Sequence, residues 1–152
     1  MIHTQELLTH KKFLPLFLTQ MLGVLNDSIL RNAITIYITF LLVNSQAYAS
    51  FWTTIATGMF VLPTLIFSTI SGDFADKYRK VSILRFVKLA EIFIVMITSY
   101  FLTQTTINPT ALVFCVFLMG AHSAVFSPAK FAYLPEYLES DELLPANALI
   151  ES

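Results

Sequence analysis

The stretch YASFWTTIATGMFVLPTLIFSTIS (Tyr48–Ser71) contains no charged residue. A bilayer's hydrocarbon core is about 30 Å thick, and a helix needs about 20 apolar residues to cross it. This segment is long enough, and Tyr48 and Trp52 at one end suit an interfacial aromatic belt. The rest of the chain agrees with it. Of 152 residues, 56% are hydrophobic and only 12% are charged. A water-soluble domain carries about 25% charged residues. Fourteen Phe, six Tyr and one Trp exclude a disordered chain. The composition is that of an integral membrane protein.

Three further spans flank the first. They run over about 13–43, 81–103 and 109–127, so the uncharged stretch is the second of four. Lys11 and Lys12 precede an apolar run too long for a signal peptide, and no small-x-small cleavage site follows. The first span therefore reads as a retained helix. Pro128 disfavours helix at the residue before it and is expected to end the fourth span. Residues 131–145 read as a cytoplasmic surface loop, with Ser140 a plausible N-cap and a fifth helix beginning near Pro145. The expected fold is all-α and membrane-integral: four helices plus the start of a fifth.

Short joints make neighbouring helices antiparallel. Lys11, Lys12, Lys77, Arg79, Lys80, Arg85 and Lys130 lie before the first span, around the second joint or after the fourth. The other two joints carry no basic residue. The positive-inside rule then places both termini and the second joint in the cytoplasm. The basic residues form no patch of the kind nucleic acid requires. Cys115 stands alone, so no metal spacing or intrachain disulfide arises, and no cofactor is implied.

Charges inside the spans are expensive, at about 2.5–3.5 kcal/mol each near mid-bilayer. Asp27 sits mid-way along the first span beside Asn26, and Arg31 is one helical turn on. They read either as a self-neutralising ion pair or as a polar site facing a hydrated cavity. Glu91 lies at similar depth in the third span, with Lys88 and Arg85 one and two turns nearer the cytoplasm. Glu91 reads either as a functional group or as a structural ion-pair partner, Lys88 either snorkels or pairs with it, and Arg85 reads as an interfacial anchor. His122, in the inner half of the fourth span, is either a packing residue or part of a transport path. Thr19, Gly23, Asn26, Ala33 and Tyr37 fall on one stripe, and Thr53, Thr57, Thr64, Ser68 and Ser71 on another. Such small and hydroxyl residues allow close packing and hydrogen bonds between helices. Pro63 is expected to kink the second helix.

GDFADKYRK (Gly72–Lys80) resembles the G-x-x-x-D-[RK]-x-G-[RK] signature between the second and third helices of major facilitator superfamily transporters. Gly72, Asp76, Lys77 and Lys80 match, and Arg79 replaces the usual glycine. Close packing at Gly72 and an acid at a helix N-terminus at Asp76 are the physical sense of that pattern. FLPLFLTQMLGVLNDSILRNA (Phe13–Ala33) resembles the first helix of bacterial lysophospholipid transporters in that superfamily, with Ser28 for a usual Asn and Arg31 for a usual Lys. KLAE (Lys88–Glu91), GAHSAVFSPAKFAYLP (Gly120–Pro135) and NALIE (Asn147–Glu151) extend the likeness.

The resemblance implies the opening third of a twelve-helix fold that binds substrate between two halves near mid-membrane, so the chain reads as a fragment expected to be inactive alone. It implies a lysophospholipid substrate, moved across the bacterial cytoplasmic membrane for re-acylation. It also implies membrane lipids, the remaining helices and an acyltransferase as partners. A transporter of another solute or drug, and an inactive remnant or subunit of a split transporter, are the alternatives. Acyltransferases use H-x-x-x-x-D, and none of His3, His10 and His122 has Asp at that place, so no enzyme is expected here.

Overall fold

The computed structural model describes residues 7, 9–11, 13–41, 46–104, 106 and 108–151. Among them the chain is all-helical. Four long helices follow one another: α1 (Phe13–Leu41), α2 (Gln46–Lys77), α3 (Lys80–Leu102) and α4 (Pro109–Tyr133). A 3-10 turn (Leu134–Glu136) and a short α5 (Leu143–Glu151) complete it. Among the described residues three helical stretches, Phe13–Phe40, Gln46–Phe67 and Pro109–Glu136, are long and apolar enough to cross a membrane. α3 has the length, but Arg85, Lys88 and Glu91 interrupt its apolar run.

The contacts fix an up-down-up-down bundle. Mid-α1 meets mid-α3 through Asn26 and Glu91, and the far end of α1 meets the end of α3 where Tyr37 donates to the Gln104 carbonyl at 3.0 Å. α1 and α3 are therefore parallel. Arg31 lies over the Phe60 ring, and Ile38 packs near Trp52, so α2 runs opposite to α1. α4 runs alongside α2 and is the most enclosed of the helices, packed chiefly on α2 and then on α3. Lys11, Lys77, Arg79, Lys80, Arg85 and Lys130 gather at one end as a result.

Three boundaries differ from expectation. α2 continues through the signature segment to Lys77, which leaves only Tyr78 and Arg79 between α2 and α3. Asp76 thus falls in the last turn of α2 and not at a helix N-terminus; its side chain lies outside the described residues. A Cβ at Gly72 would meet nothing within 4 Å, so packing does not demand glycine there. α4 continues through Pro128 for another turn and a half. Burial of Ala129, Lys130 and Leu134 offsets the backbone bond that proline removes. The segment after it is not a plain surface loop: Leu134 and Leu138 join Leu7, Phe13, Leu16, Ala146 and Ile150 in a buried cluster under the start of α1. Lys80 pairs with Glu136 at 3.0 Å, and Lys130 reaches Glu151 at 3.4 Å. α5 starts from Glu142, whose carbonyl accepts the Ala146 N–H, and not from Ser140. The Glu142 carboxylate accepts the Glu139 N–H at 2.9 Å, closing the turn that leads into α5.

The hydroxyl stripes also behave differently. Thr19, Thr53, Thr57 and Ser71 donate to carbonyls three or four residues back in their own helices, not across to neighbours. The side chain of Ser68 lies outside the described residues. Trp52 turns its ring onto Ile34, Ile38, Leu112 and Val116 and is half-buried, so Tyr48 alone is the exposed aromatic of that pair.

Close approach of α4 to α2 centres on Gly120. A Cβ there would collide with the Phe60 carbonyl and the Pro63 ring, neither of which can yield easily. Gly120→Ala should therefore destabilise the bundle by about 1–3 kcal/mol in detergent unfolding. Gly58→Ala, where a Cβ meets nothing within 4 Å, should instead stabilise it by roughly 0.5–1 kcal/mol through helix propensity.

Candidate functional site

At mid-depth the bundle holds a polar cluster drawn from three helices. At 1.5 Å rise per residue, Glu91 is about 17 Å along α3 and Asn26 about 20 Å along α1. Each is near the middle of a 30 Å layer. Glu91 is the hub. Its Oε1 accepts from Asn26 Nδ2 at 2.9 Å, and its Oε2 accepts from Lys88 Nζ at 2.6 Å. His122 Nε2 lies 3.3 Å from the same Oε2, an ion-pair distance without good hydrogen-bond alignment. The Glu91 side chain is 12% exposed and that of Lys88 24%, so most of this pair is out of contact with solvent.

Asp27 belongs to the same cluster through α4. Ser123 Oγ donates to Asp27 Oδ2 at 2.7 Å and lies 3.5 Å from His122 Nδ1. The other oxygen, Oδ1, is buried with no hydrogen-bond partner among the described residues. A carboxylate accepts several hydrogen bonds. Asp27 Oδ1 is therefore an unfilled acceptor enclosed by protein.

Five of the six residues singled out from the sequence meet here: Asn26, Asp27, Lys88, Glu91 and His122. Arg31 does not. Its guanidinium sits 4.9 Å from the centre of the Phe60 ring on α2, and no Asp27–Arg31 ion pair forms among the described residues. The aromatic face competes for the cation, and Ser123 takes the acid. Ser123, Phe126 and the contact role of Gly23 are the members that spacing did not single out. The signals were a hydroxyl beside His122 and a glycine one turn before Asp27.

Two clefts reach this cluster from the basic end. The larger, about 930 Å³, lies between α1 and α3. Lys11 and Arg85 stand near its mouth, Lys88 and Glu91 deep within it, and Leu22 and Met96 belong to its apolar wall. The smaller, about 510 Å³, lies between α1 and α4 and is lined by Asp27, His122, Ser123 and Lys130 among others. The arrangement offers both charge signs beside a long apolar surface. No cluster of His, Cys, Asp and Glu able to hold a metal ion occurs among the described residues.

Among known proteins, the chain is 26% identical over 155 residues to "Lysophospholipid transporter LplT" of Escherichia coli (strain SE11). It is likewise 26% identical over 154 residues to the protein of the same name from Salmonella arizonae. Both alignments take in 99% of this chain but 35% of the relative. The chain thus spans about a third of the length of these curated relatives. No family model matches the chain, and no solved structure does.

The hub makes a direct prediction. Glu91→Gln leaves the Lys88 ammonium enclosed without its counter-charge and should cost about 3 kcal/mol in detergent unfolding. That is the low end for a broken buried pair, because part of Lys88 remains accessible. Replacing both residues by methionine should cost less than Glu91→Gln alone.

Proposed function

We propose that this chain forms part of a transporter that carries lysophospholipid across the bacterial cytoplasmic membrane. On this reading it works with further helices, in the same or another chain. The carrying observation is the mid-depth cluster: Asp27, with one carboxylate oxygen unpartnered, lines the smaller cleft, which meets the larger apolar one at Lys88. The full-length alignment of the chain to two lysophospholipid transporters supports it.

A lysophospholipid has one acyl chain and a charged head group. The acyl chain lies along the apolar wall between α1 and α3. The phosphate meets the cations of the cleft, first Lys11 and Arg85, then Lys88. An ammonium-bearing head group donates an N–H hydrogen bond to the unpartnered Oδ1 of Asp27, a charge-assisted bond of about 1.5–3 kcal/mol. Lys88 is neutralised by Glu91 while the site is empty, which lowers the cost of holding a cation in the membrane. An incoming phosphate then competes with Glu91 for it. The basic end of the bundle faces the cytoplasm under the positive-inside rule. The site therefore opens toward the leaflet where an acyltransferase re-acylates the product.

Asp27→Asn keeps the shape of the side chain and removes its charge. In spheroplasts of the source organism, with the gene at its own locus, it should reduce uptake of labelled lysophosphatidylethanolamine about tenfold or more. Leu65→Ala, on an exposed apolar position of α2, should leave uptake unchanged. Wild-type uptake equal to that of a deletion strain would end the proposal.

A further inference from the structure

The two clefts share three lining residues: Gly23, Lys88 and Phe126. The Lys88 side chain crosses from α3 at that point. Its ammonium lies 4.7 Å from the centre of the Phe126 ring on α4 and 2.6 Å from Glu91. On the third side is α1, where residue 23 has no side chain. A Cβ built on Gly23 would stand 2.5 Å from Lys88 Nζ, well inside any real contact, and 3.9 Å from Glu91 Oε1. Lys88 Cε stands 3.8 Å from the same position, at ordinary contact distance. The backbone of α1 is in ordinary helical conformation here, with no glycine at positive φ among the described residues. Glycine is therefore not required by the chain's own geometry.

We infer that Gly23 is a positioning residue: it forms the notch that seats the Lys88 ammonium as a movable partition between the two clefts. The inference rests on the transport reading for its functional consequence, but the seating itself does not. Glycine in the middle of a helix is destabilising relative to alanine. At Gly23 the ammonium occupies the space that a methyl group would need. With any larger residue at 23, Lys88 swings away from the seam, its bond to Glu91 lengthens, and the wall between the clefts opens. The bound phosphate of an amphiphile then loses the cation that stands at the junction of acyl and head-group spaces.

The test is a cycle of unfolding midpoints on the full chain in detergent. In a Lys88→Ala background the notch is empty, and Gly23→Ala should raise Tm by about 2 °C through helix propensity alone. With Lys88 present, the same substitution should lower Tm. An equal change of either sign in both backgrounds would overturn the seating. Lys88→Arg is the second variant: a broad planar head does not enter the notch, so its Tm should fall as that of Gly23→Ala does, and an unchanged Tm would count against the inference. For transport, Gly23→Ala should raise the KM for lysophosphatidylethanolamine several-fold with kcat retained. A lower kcat at unchanged KM would refute the partition role. If wild-type cells show no lysolipid uptake, the transport reading fails, while the sign reversal in the cycle still decides the seating.

Discussion

The contact between Lys88 and Glu91 is the interaction around which the bundle's interior is arranged. Two opposite charges one turn apart on α3 can lie in a membrane only because each covers the other. Once paired, Glu91 still has lone pairs to fill. Asn26 from α1 fills one, and His122 from α4 approaches the other oxygen. A single carboxylate thereby ties three helices at mid-depth. Without it, α1 would hold to α3 mainly through its far end, where Tyr37 reaches Gln104. The apolar faces of α1 and α3 cannot supply the missing attraction, because lipid tails solvate them equally well.

Polarity and function meet in how incompletely the cluster is satisfied. Asn26, Lys88 and Ser123 each have a partner, but Asp27 Oδ1 has none among the described residues. Buried polar groups are nearly always hydrogen-bonded, and Asp27 Oδ1 and His122 Nε2 are the exceptions in this cluster. Arg31 illustrates the contrary case. Its charge rests against an aromatic ring on α2, away from both acids.

Much of the all-α architecture could be read from hydropathy, because apolar length is a local property. The uncharged Tyr48–Ser71 stretch needs no neighbour to be recognised. The Lys88–Glu91 pair was equally accessible, since i,i+3 spacing alone brings the two side chains together. The same rule offered Asp27–Arg31 and failed there, because Ser123 and Phe60 compete from helices that the local sequence does not reveal. Pro128 is a related case: its local cost is real, but burial of Ala129 and Leu134 outweighs it. On the two small-residue stripes Asn26 and Tyr37 bond across to α3 and its end, while Thr19, Thr53, Thr57 and Ser71 turn to their own helix. Gly23 looked like one more small residue on a packing face. Only the long reach of Lys88 gives its missing side chain a purpose.

The cluster beneath α1 bears on how the protein is made. Phe13 and Leu16 open the first helix, yet their cover comes from Leu134, Leu138, Ala146 and Ile150. A ribosome delivers those residues only after α2, α3 and α4 have emerged. Asp27 meets Ser123, and Asn26 meets Glu91, on helices that are also synthesised later. The nascent first helix must therefore wait in or beside the insertion channel, its acid unsheltered, until its later neighbours arrive. Biogenesis of this bundle is closed from its last turn back to its first.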